Sequence, residues 1–200
     1  MMLPTHALVG VAIATPMLVL APEHATVALI GGLVGGILPD LDLYAGHRRT
    51  LHYPTGYVLA AIPAVVGALL LGTPVLIGLS FLLLAAALHC QMDRYGGGLE
   101  LRPWEGHSDR AVYDHARGRW RRPKRWVRYD GAPEDVLLMT GVALPLLFVL
   151  ESPFRPVVVA ALVAGGVYGL LRRRLAALAP TVVAKVPEPI VEHVPERYRR

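Results

Sequence analysis

Three groups of histidine and aspartate residues interrupt a chain that is otherwise strongly apolar. Thr5-His6 lies near the start, a second group extends over residues 40–52, and His89 with Asp93 forms the third. Neutral imidazole nitrogens and carboxylate oxygens are the ligands that zinc, manganese and iron accept from proteins. The sequence therefore predicts a site for a divalent metal ion, with zinc as the first choice and manganese or iron as alternatives. The candidate metal ligands are His6, Asp40, Asp42, His47, His52, His89 and Asp93.

The second group also contains candidates for catalysis. Two arginines, Arg48 and Arg49, lie between its histidines, and an arginine beside a hydrolytic metal commonly binds a phosphate or a carboxylate. A carboxylate that is not needed as a ligand, Asp42 or Asp93, would act as general base on a water whose pKa the metal lowers to about 7. The predicted catalytic residues are therefore Asp42, Arg48 and Arg49.

Each group also has a purely structural interpretation. His6 alone is typical of a surface histidine, and Asp40 and Asp42 would cap the end of a helix. His89 and Asp93 are four residues apart, so they would form a buried pair on one helix face. Ionisable side chains beside membrane helices are costly, however, and are a functional hypothesis by default. Their combination on one membrane face favours the metal site.

Long apolar segments must position these groups. The chain of 200 residues is 54% hydrophobic and 18% charged, its mean hydropathy is +0.46, and residues 53–92 contain no Asp, Glu, Lys or Arg. This composition excludes a disordered chain and a disulfide scaffold. It predicts an all-α, polytopic helical membrane protein with about six apolar helices. The predicted helices cover residues 7–21, 26–38, 57–72, 75–89, 136–150 and 157–171, and the glycine-rich second one either spans or re-enters.

The distribution of basic residues predicts the orientation of these helices. Of the 20 Lys and Arg, two lie in 39–56, ten in 91–135 and seven in 172–200. Six spans place these three regions and the N-terminus on one side, which the positive-inside rule makes the cytoplasm. The prediction is a multi-pass protein of the cell (cytoplasmic) membrane with both termini cytoplasmic. All three His/Asp groups then lie at the cytoplasmic face.

Two regions outside the helices are predicted to contact the bilayer. The membrane domain, residues 1–171, includes the 91–135 loop, in which three tryptophans alternate with arginines at a net charge of +2. Contact with anionic lipid head groups explains this pattern better than nucleic-acid binding does. Residues 172–200 form a basic tail whose prolines predict an extended segment.

The order and spacing of these motifs resemble the YdjM-like family. The matching residues are Thr5-His6, Pro39-Asp40-x-Asp42, His47-Arg48 with His52, and His89-x-x-x-Asp93, followed by Gly96–Gly98 and Pro103-Trp104. Members are described as LexA-binding, inner-membrane-associated, metal-dependent hydrolases. The resemblance covers about residues 1–105 and implies a helical membrane protein with a His/Asp metal site and hydrolase activity. It does not carry LexA binding over to this chain, and Tyr53 stands where the family usually has serine.

These observations together predict a membrane-bound metal-dependent hydrolase. Its location at the membrane surface favours a small or amphiphilic substrate, such as a lipid-like ester or phosphoester. A metal-binding membrane protein without turnover is the first alternative. An ion-coupled transporter is the second, and it is disfavoured because the middle of each predicted span lacks ionisable residues.

Overall fold

The protein is mostly helical, as its apolar segments predict, with one short β-hairpin. The computed structural model describes residues 1–195 and Tyr198. A 3₁₀ segment, Leu38–Tyr44, follows the third helix, and a short 3₁₀ turn covers Pro103–Glu105. The other elements are α1 (Leu3–Ala14), α2 (Met17–Leu20), α3 (Pro22–Ile37), α4 (Gly56–Leu71), α5 (Pro74–Tyr95), β1 (Val112–Asp114), β2 (Arg119–Arg121), α6 (Pro133–Val149), α7 (Phe154–Val183) and α8 (Glu188–Val191).

Within the described residues, four helical stretches are long and apolar enough to cross a membrane. They are Leu3–Leu20, Pro22–Tyr44, Pro74–Tyr95 and Phe154–Val183. Helix α4 is apolar but has only 16 residues, and α6 has 17 residues with two acidic side chains in its first turn. A straight helical span needs about 20 residues. The structure is therefore mostly helical with four candidate spans, which is compatible with an all-α membrane protein, and the six-span topology stays a prediction.

Glycines let three of these helices pack backbone against backbone. Helix α3 lies between α1 and α5. On one face of α3, a Cβ on Gly31 would lie 2.2 Å from the Gly78 carbonyl oxygen of α5. On another face, a Cβ on Gly32 would lie 2.1 Å from the Gly10 carbonyl oxygen of α1. Any side chain at these positions would push the helices apart, so the glycines set the distance between α1 and α5.

Large apolar side chains cover much of the outer surface of the helices. Phe148 is 84% exposed and Leu170 is 83% exposed, and Leu69 and Leu70 are similarly exposed on α4. A water-soluble domain rarely exposes so many large apolar side chains, because they would form contiguous patches. This surface is compatible with a hydrocarbon environment around the helices.

The region after α7 differs from the prediction of an extended tail. Helix α7 continues through the three arginines at 172–174 and ends only at Val183, with Pro180 inside its last turn. Pro180 cannot donate a backbone hydrogen bond to the residue four positions earlier, and the helix ends within one turn after it. The prediction was therefore wrong for residues 172–183. Residues 196, 197, 199 and 200 of the predicted tail lie outside the described residues.

Two ion pairs stabilise the long connection between α5 and α6, one within its hairpin and the other between the connection and α7. The β1–β2 hairpin is anchored by Asp114, which accepts hydrogen bonds from the Arg121 guanidinium at 2.8 Å and 3.0 Å. Near the end of the connection, Asp130 accepts hydrogen bonds from Arg172 of α7 at 3.0 Å and 3.1 Å. The connection is thus a folded layer over the ends of α5 and α7.

Candidate metal centre

Three elements bring four potential ligands together at one end of the helices. Asp40 comes from the 3₁₀ segment directly after α3, His52 from the loop before α4, and His89 and Asp93 from the last two turns of α5. Since α3 and α5 are in backbone contact, the segment that leaves α3 lies directly beside the end of α5. His52, His89 and Asp93 are buried, and the Asp40 side chain retains 17% exposure.

The four ligand atoms lie within 4.8 Å of one another, and their four His–Asp separations are compatible with a tetrahedral metal site. The Nε2 atom of His52 lies 3.2 Å from Asp93 Oδ2 and 3.7 Å from Asp40 Oδ1. The Nε2 atom of His89 lies 3.5 Å and 3.4 Å from the same two oxygens. A tetrahedral ion with bonds of about 2.0–2.1 Å places its ligand atoms about 3.3–3.4 Å apart. These four residues can therefore hold one metal ion.

Hydrogen bonds on the far side of each ring direct both Nε2 atoms towards this point. His89 Nδ1 donates to the Gly36 carbonyl oxygen at 2.8 Å, which fixes the proton on Nδ1. His89 Nε2 is buried and has no hydrogen-bond partner within the described part of the chain. His52 Nδ1 lies 2.9 Å from Asp42 Oδ2. Histidine ligands of metals typically pair their other nitrogen with a carbonyl or a carboxylate in this way.

Asp42 supports the site through a dense set of hydrogen bonds. Its buried carboxylate accepts bonds from the backbone N–H groups of Arg48, Arg49 and Leu51, at 3.1–3.2 Å. The backbone of Arg48 has φ of 61°, an uncommon conformation outside glycine, and this turns successive N–H groups towards the carboxylate. In the structure Asp42 thus orients His52 and the loop. Direct ligation or a general-base role of Asp42 stays a prediction.

His47 shares this carboxylate and borders the ligand group. Its Nδ1 lies 3.0 Å from Asp42 Oδ1 and 3.9 Å from Asp40 Oδ1. One carboxylate therefore contacts two imidazoles, that of His52 through one oxygen and that of His47 through the other. The structure brings His47 next to the four-ligand group but not into it.

The second oxygen of Asp93 is surrounded by donors and positive charge. Asp93 Oδ1 lies 2.8 Å from the Met1 ammonium, 3.2 Å from His6 Nε2 and 3.3 Å from the Arg48 guanidinium. The Asp93 carboxylate consequently has one oxygen neutralised by the chain and the other turned towards the ligand group. Two cations on the outer side of Asp93 disfavour a second metal ion there.

His6 lies beside the centre in a buried stack. Its ring is 3.7 Å from that of His89, with an angle of 16° between the planes. The start of α1 is held by Asp135 of α6, which accepts hydrogen bonds from Met2 N and Thr5 Oγ1, both at 2.8 Å. In this position His6 supports His89 and Asp93, and its ligation of a metal stays a prediction.

The two predicted catalytic arginines have different environments. Arg48 is buried, and besides Asp93 its guanidinium contacts the Gly97 carbonyl oxygen at 2.9 Å. Arg49 is exposed, and its guanidinium lies 4.8 Å from the ring centre of Tyr113. Neither placement tests a role in substrate binding, so both remain candidates.

The pKa of His52 lies above its ordinary value. Burial alone would lower it, but the contacts with the Asp42 and Asp93 carboxylates outweigh this effect. Because a metal ligand must be deprotonated, binding of an ion by His52 is coupled to loss of this proton.

A cavity of about 400 Å³ adjoins the ligand group and extends between α1 and α7. Its lining includes Asp40, His47 and Arg48, and also the apolar residues Leu3 and Ala164. This space, here named the α1–α7 cavity, gives a small molecule access to the least buried of the four ligands.

Some contacts of the site could not be read from residue types. The Gly36 carbonyl belongs to a residue without a side chain, although a glycine pair one turn before Asp40 is a signal of close helix packing.

A scan against family models, a search of curated proteins and a search of solved structures each found no match to this chain. Its function is therefore argued from the geometry of the site.

Proposed function

We propose that this chain is a membrane-bound, metal-dependent hydrolase whose single divalent ion is held by Asp40, His52, His89 and Asp93. The observation that carries the proposal is the close approach of two imidazole Nε2 atoms to two carboxylate oxygens, at 3.2–3.7 Å. Zinc suits this ligand set and geometry best, with manganese or iron as alternatives. The resemblance of residues 1–105 to the YdjM-like family agrees with the proposal.

Each residue around the ion has a distinct task. The bound ion would supply a water of lowered pKa and polarise the substrate's oxygen. Asp42 and the Gly36 carbonyl hold the two imidazoles in the ligating orientation. Asp40 is the ligand that borders the α1–α7 cavity, so a substrate in the cavity would approach the ion past this carboxylate. Arg49 is exposed near the same loop and would attract an anionic substrate.

The surroundings of the site agree with catalysis at a membrane surface. In the proposed topology six helices cross the cytoplasmic membrane, with the centre, the α5–α6 connection and both termini on the cytoplasmic side. Trp126 is 71% exposed and Lys124 lies 5.5 Å from its ring centre, a combination that suits the head-group region of an anionic bilayer.

A metal-binding membrane protein without turnover is the second candidate. It is favoured by the number of protein ligands, because catalytic zinc sites commonly use three and leave the fourth position to water. The two candidates predict the same metal content and differ only in hydrolysis.

Elemental analysis of the purified chain, followed by a hydrolysis assay, tests both candidates. We expect one equivalent of metal and cleavage of phosphoester or carboxyl-ester amphiphiles that a chelator abolishes and added zinc restores. Asp40→Ala should lose both metal and activity, whereas Asp109→Ala, at an exposed aspartate in the α5–α6 connection, should retain both. Metal without hydrolysis of either ester class would leave the non-catalytic candidate, and absence of metal would refute both.

A further inference from the structure

The α1–α7 cavity is lined by both polar and apolar side chains, and a small polar ligand would not need the apolar ones. Asp40, His47 and Arg48 line it together with apolar residues, among them Leu3, Pro4 and Ala164. Binding sites for small molecules are mostly apolar with a few polar groups that fix orientation. A cavity lined by both kinds of side chain matches a molecule that has a polar part and an apolar part.

Two apolar residues that line the cavity also lie on the outer surface of the helices. Leu3 is 43% exposed and Ala164 is also exposed. Ala164 precedes the first charged residue of this part of α7, Arg172, by eight residues, which corresponds to about 12 Å along the helix. An opening beside Ala164 would therefore face a stretch of α7 without charged side chains.

The floor of this opening is closely packed and is therefore a fixed shape. A Cβ on Gly165, the neighbour of Ala164, would lie 2.2 Å from Met139 Sδ and 3.4 Å from Pro4 Cβ. Helix α7 thus rests directly on α6 and on the first turn of α1. At the rim, the Asp130 carboxylate is neutralised by Arg172, so the entrance does not present an unpaired negative charge.

Resting on the proposed function, we infer that the α1–α7 cavity binds a single-chain amphiphile with an anionic oxygen head group, whose alkyl chain enters sideways past Ala164. A volume of about 400 Å³ is at the small end of ligand sites, so it accommodates one chain rather than two. The head group lies at the metal ligands, where a divalent ion and Arg48 favour an anionic oxygen. The chain lies against Leu3, Pro4 and Ala164.

Binding of monododecyl phosphate to the zinc-loaded protein, measured by calorimetry in lipid nanodiscs, tests this inference. Ala164→Trp should weaken binding at least tenfold because the new ring fills the opening, while metal content stays unchanged. Val163→Trp, at the exposed neighbouring position on α7, is the matched control and should bind as the original chain does. Inorganic phosphate should bind all three proteins equally, and dodecyltrimethylammonium, with a cationic head, should bind none of them.

The outcomes separate this inference from the proposed function. Equal binding of monododecyl phosphate by the Ala164→Trp and Val163→Trp proteins, or no binding by the original chain, would overturn the cavity assignment even if esters are hydrolysed. Binding that depends on residue 164, in a protein that hydrolyses neither ester class, would support the cavity and refute the hydrolase.

Discussion

Aspartates of this protein lie in two contrasting environments. In the α5–α6 connection, Asp114 and Asp130 each face an arginine, Arg121 and Arg172 respectively, so the chain supplies the counter-charge. At the metal centre, Asp40 Oδ1 and Asp93 Oδ2 instead face two imidazole Nε2 atoms. The first arrangement is complete with the residues that the chain provides.

The arrangement at the candidate metal centre would be stabilised by a bound ion. Carboxylate oxygens cannot donate hydrogen bonds, and the His89 ring already uses its Nδ1 proton on the Gly36 carbonyl. Two acceptor oxygens and a lone pair therefore converge in a buried space, an arrangement that a divalent cation stabilises. The Asp130–Arg172 ion pair fastens the connection to α7, and the convergent acceptors form the candidate metal site.

The largest effect should follow from removing one convergent acceptor. His89→Ala deletes a ligand, so we expect metal affinity to fall by more than the roughly 10–100-fold typical of changes behind the ligands. Elemental analysis after dialysis measures the loss. His107→Ala, which removes an exposed histidine of the connection, should leave metal content unchanged. Retained stoichiometric metal in the His89→Ala protein would contradict the assignment of the centre.

A smaller loss of metal should follow from weakening the support behind a ligand. Asp42→Asn keeps the size of the side chain but removes the charge that orients His52 and accepts the loop N–H groups. We expect metal affinity to fall about 10–100-fold while some metal still binds at saturating zinc. A competition titration with a chromogenic chelator measures this change. An effect as large as that of His89→Ala would instead indicate that Asp42 is itself a ligand.

The smallest effect on metal binding is expected from a substitution of Asp130 in the α5–α6 connection. This substitution should instead change the stability of the protein and the dependence of that stability on pH. The pKa of Asp130 lies below its ordinary value: burial would raise it, but Arg172 and the hydrogen bond from Tyr168 outweigh burial. A lowered folded-state pKa contributes stability that is present above the unfolded value of about 3.9 and is lost as pH falls through the folded value.

Asp130→Asn should therefore destabilise the protein by about 1–3 kcal/mol at pH 7 and flatten the loss of stability below about pH 4. Thermal unfolding in detergent between pH 3 and 7 measures both changes, and metal content at pH 7 should not change. An equally steep acid transition in the Asp130→Asn protein would show that this pair does not contribute to it.

The helices and the convergence of the His/Asp groups could be predicted from the sequence. The role of each residue, as ligand or as support for a ligand, could not. Apolar segments and the spacing of His89 and Asp93 are local signals, and the structure places both as expected. The separation of ligands from supporting residues depends on which atoms face one another. Asp40 and Asp42 are two positions apart in the sequence and differ only in three-dimensional surroundings.

Other features escaped prediction because their cause is not local. Helix α7 continues to Val183 although Pro180 removes one backbone hydrogen bond in its last turn. The turn at Arg48, with its positive φ, is compensated by an aspartate six residues earlier in the chain. The four-ligand group likewise combines residues from segments that are separated by up to 53 positions.

The glycine contacts of α3 have a consequence for the energetics of ion capture. Because α1 and α5 rest on a bare backbone, the distance between them does not depend on side chains that change rotamer. His6 and His89 are stacked across this junction, and the Gly36 carbonyl holds one of them. An arriving ion would meet a preorganised cage, so little of its binding energy would be lost to conformational entropy.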